Sequence, residues 1–187
     1  MYTILKNSYL ISQINKYYLI IIKIKMDKKS FQKYIEKMFT YNTLPYLMDF
    51  IRIPNLSPNF DFNWRTNGLL EKAANFIMSY IQSLQLKNAE TNLIQDKGYS
   101  PLIFMEISPT RPNDSRTILF YAHFDKQPHG TGWDDNKGPT KPVIENNHLY
   151  GRGTADDGYA IFSILTSMSL SILLFLLYLL INLISIL

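Results

Sequence analysis

The stretch TILFYAHFDKQP, residues 117–128, decides the fold that the sequence predicts. Residues 117–122 are uncharged on both faces of an extended chain, which is typical of a strand buried inside a covered sheet. His123 and Asp125 follow directly, and residues two apart in such a chain point to the same side. Because α/β sheets place ligand sites at the ends of buried strands, this segment predicts an α/β domain with a site at His123.

The residue types available limit the chemistry of that site. The sequence contains no cysteine and three histidines, at positions 123, 129 and 148. A disulfide, a thiolate nucleophile and a cysteine-ligated zinc are therefore excluded. A neutral imidazole is a good zinc ligand, and a neighbouring carboxylate can fix its tautomer and raise its basicity. Alone, the His-x-Asp pattern is weakly specific, because it often occurs by chance.

The second informative segment is HLYGRGTADDG, residues 148–158. Its glycines Gly151 and Gly153 permit a tight turn, and Asp156 and Asp157 stand where an apolar helix would begin. One of these carboxylates could cap that helix. A carboxylate held by a rigid turn could instead bridge two metal ions, as in paired-metal hydrolases. The residues of this segment alone leave both interpretations open.

Outward from these motifs, the chain alternates between helical and extended patterns. Hydrophobic periodicity and helix-boundary residues predict helices over 27–39, 43–51 and 68–85. Alternating or apolar runs predict strands over 89–95, 102–107 and 117–122, and a hairpin over 143–150 that turns at Asn146-Asn147. This order predicts an α/β layer whose sheet is only partly present.

Together, HFDKQP, the loop around Trp133 and HLYGRGTADDG resemble the zinc-dependent aminoacylase, carnosinase and glutamate carboxypeptidase family of metallopeptidases. The resemblance runs from about residue 27 to residue 167 and is sharp over 117–163. It implies an α/β fold that is the incomplete N-terminal part of a metallopeptidase catalytic domain, with helices packed on a mixed sheet. It also implies amide hydrolysis with two zinc ions, acting on a small peptide or an N-acyl amino acid.

The resemblance implies a role for each matching residue. His123 would bind one zinc ion, and Asp156 would bridge both ions. Asp125 would orient His123, in a position usually described as catalytic. The sequence departs from the common pattern at Ala122, where a Gly often precedes the His, and after Asp157, where no Lys follows. Neither change affects a ligand.

A larger departure concerns the general base. In the family, a Glu pair beyond the bridging Asp supplies the base and a further ligand, and later His and carboxylate residues complete the metal shells. No Asp, Glu or His follows Asp157 in this sequence. Glu106 and Glu145 lie at positions that the family pattern does not support as substitutes. The sequence thus predicts a truncated hydrolase that binds metal poorly and has no turnover. An alternative, ranked below this one, is an active enzyme that borrows its missing ligands from a partner chain.

The two ends differ from the predicted catalytic segment, residues 26–167. Residues 168–187 are apolar on all sides and long enough to span a bilayer core as a helix. They predict membrane insertion beside a cytoplasmic head, and hence the alternative of a membrane-anchored, non-catalytic binding protein. A coding-region artefact is the competing explanation for this tail. Residues 1–25 predict a poorly structured basic extension, with Met26 as an alternative start.

The charge distribution bears on possible partners. The formal net charge is +4, and residues 1–25 contain four lysines and no acidic residue. From Met26 onward the basic and acidic residues balance. Because no basic stripe is left to follow a phosphate backbone, nucleic acid is not a predicted partner.

Overall fold

The computed structural model describes residues 28–109 and 116–184, with residues 172–184 described as backbone only. The predicted extension over 1–25, the alternative start at Met26 and the last three residues of the predicted tail lie outside the described residues. The predicted division of the chain into residues 1–25, 26–167 and 168–187 therefore stays a prediction.

Three helices precede the first strand. Helix α1 (Lys28–Met38) continues through a π-helical turn (Phe39–Thr43) into α2 (Leu44–Arg52), and α3 (Leu69–Ser83) follows a loop. Pro45 lies in the first turn of α2, directly after the π-helical turn. The three predicted helices are confirmed, with ends that differ by one or two residues.

The core forms where α2 and α3 meet the beginning of α4 (Tyr159–Ile184). The buried apolar side chains from these three helices include Leu47, Phe50, Ile51, Ala73, Ile77, Tyr80, Ile81, Phe162 and Leu165. The ring centroid of Phe162 lies 5.8 Å from that of Phe50 and 5.2 Å from that of Tyr80. Aromatic packing of this kind fixes the first turns of α4 against the other two helices.

The strands form two separate antiparallel pairs within the described residues. β1 (Ala89–Ile94) pairs with β2 (Leu102–Ile107), and β3 (Val143–Glu145) pairs with β4 (His148–Tyr150). The predicted hairpin turn is confirmed, because Asn146 and Asn147 both have positive φ angles of 51° and 62°. The described helices and small sheets agree with the predicted α/β class, but the predicted mixed sheet is wrong for the described residues, because both pairs are antiparallel.

The prediction of a buried strand over 117–122 is also wrong. This segment has no regular secondary structure, and Ile118, Leu119 and Tyr121 are 77%, 88% and 82% exposed. A strand forms only when a neighbouring strand satisfies its backbone N–H and C=O groups. Among the described residues no strand pairs with this segment. It lies instead along an open apolar groove of about 640 Å³ that β2 and α4 also line.

The C-terminal region forms helix α4, but the predicted membrane span over 168–187 is unsupported. Among the residues whose side chains the structure describes, 28–109 and 116–171, no helix has the combination of length and apolar character that a bilayer span requires. The first turns of α4 bury Phe162 and Leu165 in the protein core. The helix therefore begins as a packed element of the domain.

Candidate metal centre

The segment that carries His123 is held by the loop that follows α2. Asn55 is fully buried, and its side-chain Nδ2 donates a hydrogen bond of 2.6 Å to the carbonyl oxygen of Phe124. The backbone N–H of Ser57 donates to the carbonyl oxygen of Lys126 at 2.8 Å. These two bonds fix the backbone of residues 124–126 without a neighbouring strand.

The imidazole of His123 lies between two carboxylates. Its Nδ1 is 3.0 Å from Oδ1 of Asp125, and its Nε2 is 3.2 Å from Oδ1 of Asp156. A hydrogen on Nδ1 that is donated to Asp125 leaves the Nε2 lone pair facing Asp156. Because a lone pair and a carboxylate repel each other, a proton or a cation is needed between them. The structure thus brings together the three residues that the sequence singled out.

The electrostatics of this site favour positive charge. Burial lowers the pKa of His123, but hydrogen bonding to Asp125 and the charges of Asp125 and Asp157 outweigh this effect, so the pKa is raised overall. Asp157 also accepts a hydrogen bond of 3.3 Å from the backbone N–H of His123 through its Oδ2. Two carboxylates therefore contact the imidazole of His123 and a third contacts its backbone N–H, an arrangement that attracts a cation.

The glycine-rich loop, residues 151–158, brings Asp156 close to this imidazole. Gly153 has a left-handed φ of 85°, and an added Cβ there would lie 2.9 Å from Cε of Lys126. An added Cβ at Gly158 would lie 2.2 Å from the carbonyl oxygen of Gly153. The predicted tight turn is confirmed, and the glycines also permit close packing between the loop and its neighbours.

Lys126 is the residue of this region that the sequence analysis missed. It is 2% exposed, and its Nζ donates to the carbonyl oxygens of Phe50, Ile51 and Ile53 at 2.8, 3.4 and 2.6 Å. These carbonyls belong to the end of α2, where a cation is favoured. Burial lowers the pKa of Lys126 to about 7. No sequence pattern marked this lysine as buried.

The loop between the two motifs is held by its own polar contacts. Trp133 Nε1 donates to the carbonyl oxygen of His129 at 2.9 Å. Lys137 Nζ lies 2.7 Å from Oδ2 of Asp134 and 2.8 Å from Oε2 of Glu145. Hydrogen bonding to Lys137 lowers the pKa of Glu145. A lower pKa makes Glu145 a weaker base, which argues against it as a substitute general base.

The described residues contain a candidate pair of ligands but no complete metal site. Within residues 28–109 and 116–184, no group of three or more His, Asp or Glu side chains is arranged to hold a metal ion. His123 and Asp156 therefore form a candidate pair of ligands, and Asp125 stands behind His123.

Comparisons with known proteins agree with a hydrolase. Residues 119–171 match the family described as Peptidase family M20/M25/M40. The chain is 32% identical over 124 residues to an uncharacterized metallohydrolase of Methanocaldococcus jannaschii, an alignment that covers 62% of this chain and 28% of that protein. It is 28% identical over 126 residues to a succinyl-diaminopimelate desuccinylase of Pelagibacter ubique, covering 67% of this chain and 29% of that enzyme.

The chain spans less than a third of the length of these two relatives. These matches agree with a hydrolase, and over residues 119–171 the chain is similar to the M20 peptidase family. They do not single out its aminoacylase, carnosinase and glutamate carboxypeptidase members. The printed name of the Methanocaldococcus jannaschii relative describes a metal-dependent hydrolase.

Proposed function

We propose that His123 and Asp156 are metal ligands of a two-zinc hydrolase that cleaves amide bonds in dipeptides or N-acyl amino acids. The observation that carries this proposal is the imidazole held between Asp125 and Asp156. The name of the Pelagibacter ubique relative describes removal of a succinyl group, which agrees with a substrate bearing an acyl group.

The geometry of the pair fits a zinc ion. Two ligands that are each about 2.0–2.1 Å from a tetrahedral zinc lie roughly 3.3 Å apart. The His123 Nε2 and Asp156 Oδ1 atoms are 3.2 Å apart. An imidazole nitrogen with a carboxylate oxygen is also a donor set that zinc accepts. Within the described residues, no further His, Asp or Glu is placed with this pair to hold a metal ion.

Each residue has a separate task in the proposed reaction. When bound, zinc supplies Lewis acidity to an amide carbonyl and activates water. Asp125 holds the Nδ1–H of His123, which keeps the Nε2 lone pair available to a metal. Asp157 holds the backbone N–H of the same residue. Asp156 contributes a carboxylate charge beside Nε2.

For the 187-residue polypeptide on its own, we propose metal binding without turnover. No Asp, Glu or His follows Asp157, and Glu145 is engaged by Lys137. A general base is therefore lacking at the positions where the family pattern places it. Zinc-dependent hydrolysis of a dipeptide by this polypeptide would show that a base is available within its sequence.

Exchange of single histidines tests the proposed ligands. We expect His123→Ala to lower zinc affinity by more than about 100-fold, because a ligand contributes more than the 10- to 100-fold typical of an outer partner. His148→Ala is the matched control, since His148 is exposed on β4 and bonds to the carbonyl oxygen of Asn146. Equilibrium dialysis against zinc measures both variants. Equal affinities would remove His123 from the proposed site.

A further inference from the structure

We infer that Lys126 is a positioning residue that sets the separation of His123 and Asp156 by joining their two segments across the end of α2. This inference rests on the proposed function. The ammonium of Lys126 contacts the end of α2, and its alkyl stem contacts the glycine-rich loop.

The ammonium group is fixed in one place. An ammonium has three hydrogens, and three backbone carbonyl oxygens from the end of α2 accept hydrogen bonds from it. Nζ also lies 4.2 Å from the centroid of the Phe50 ring, within the range of a cation–π contact. The backbone of Lys126 is held separately by Ser57. The side chain is thus anchored at its base and at its tip.

The alkyl stem forms the surface on which the glycine-rich loop lies. A Cβ on Gly153 would lie 2.9 Å from Cε and 3.1 Å from Cδ of Lys126, so the loop backbone packs directly on the stem. Asp156 is three residues further along this loop, and His123 is three residues before Lys126. A displaced lysine stem would therefore move Asp156 relative to His123.

Burying the ammonium of Lys126 costs free energy, so this residue is not expected to act mainly by stabilising the fold. Burial lowers the pKa of Lys126 to about 7, because desolvation penalises the ammonium. The hydrogen bonds to α2 offset this penalty and specify a position for the side chain. Its main effect is therefore expected on the geometry of the His123–Asp156 pair.

The absence of native cysteine allows a chemical test in the full chain. Lys126→Cys protein is alkylated while denatured, either with 2-bromoethylamine or with 1-bromopropane, and is then refolded. The first reagent restores a side chain of lysine length with its ammonium, and the second gives a side chain of matched length without charge. Zinc affinity, the thermal unfolding midpoint and the side-chain ¹⁵N spectrum of His123 are measured for both products.

We expect the aminoethyl product to match the unmodified chain in zinc affinity within about twofold, and the propyl product to bind at least about tenfold more weakly. The propyl product should also show altered His123 ¹⁵N shifts in the absence of metal, at a temperature where both products are folded. Equal affinities and equal shifts for the two products would overturn the inference.

Two further measurements keep the test decisive. If the alkylated proteins do not refold, Lys126→Met is expressed directly. Its side-chain ¹⁵N spectrum of His123 is compared with that of the unmodified chain, and unchanged His123 shifts would overturn the inference. If the unmodified chain binds no zinc at His123, the proposed function fails. The metal-free His123 spectrum still decides whether Lys126 positions the imidazole.

Discussion

Replacing Asp156 by Asn is expected to lower zinc affinity by more than about 100-fold, the largest effect of any single carboxylate in the chain. The side chain keeps its shape but loses the charge that faces His123 Nε2 at 3.2 Å. Asp125→Asn should cost less, about 10- to 100-fold, because Asp125 acts through the imidazole. Isothermal titration with zinc measures both changes.

The matched control is Asp135→Asn, the same chemical change at an exposed position in the loop before the β3–β4 hairpin. Its zinc affinity should equal that of the unmodified chain. If Asp135→Asn and Asp156→Asn weaken binding equally, the zinc responds to overall negative charge, and the assignment of Asp156 as a ligand is wrong.

Replacing Gly158 by Ala is expected to lower the free energy of unfolding by about 3 kcal/mol, at the upper end for overpacking. An added Cβ would lie 2.2 Å from the carbonyl oxygen of Gly153 and 2.9 Å from Cε1 of Phe50. The first neighbour is backbone and the second is a fully buried ring, so neither can move freely. Urea denaturation followed by circular dichroism measures the change.

Gly138→Ala provides the comparison for this prediction. An added Cβ at Gly138 would meet only Cβ of Lys141, at an ordinary 3.5 Å. Although Gly138 is buried, the added methyl group meets no overlapping atom, so we expect this variant to unfold within about 0.5 kcal/mol of the unmodified chain. A Gly158→Ala chain of unchanged stability would contradict the close packing of the glycine-rich loop on α2.

The helices and the β3–β4 hairpin could be predicted because their signals are local. Apolar residues recur at helical spacing along residues 68–85, which predicts α3. Asn146-Asn147 has the sequence of a two-residue hairpin turn. The strand over 117–122 could not be judged this way. Its composition favours a strand, but pairing depends on a neighbour from elsewhere in the chain, and the described residues provide none.

Only the part of the candidate site that depends on local sequence could be predicted from the residues alone. The contact between His123 and Asp125 follows from their two-residue spacing, whereas Asp156 was assigned from the family resemblance. Lys126 contacts carbonyls more than 70 residues away in sequence, and Asn55 donates to Phe124 across 69 positions. Neither a buried lysine nor a buried asparagine has a local sequence signature, because both depend on tertiary packing.

The most direct measurement is a zinc titration of the uniformly ¹⁵N-labelled chain, observed through the side-chain nitrogens of its three histidines. We predict that Nε2 of His123 shifts first, while His129 and His148 stay unchanged until zinc is in excess. Nδ1 of His123 should keep its hydrogen, donated to Asp125. Zinc that shifts His129 or His148 first, or leaves His123 unchanged, would contradict the proposed metal pair.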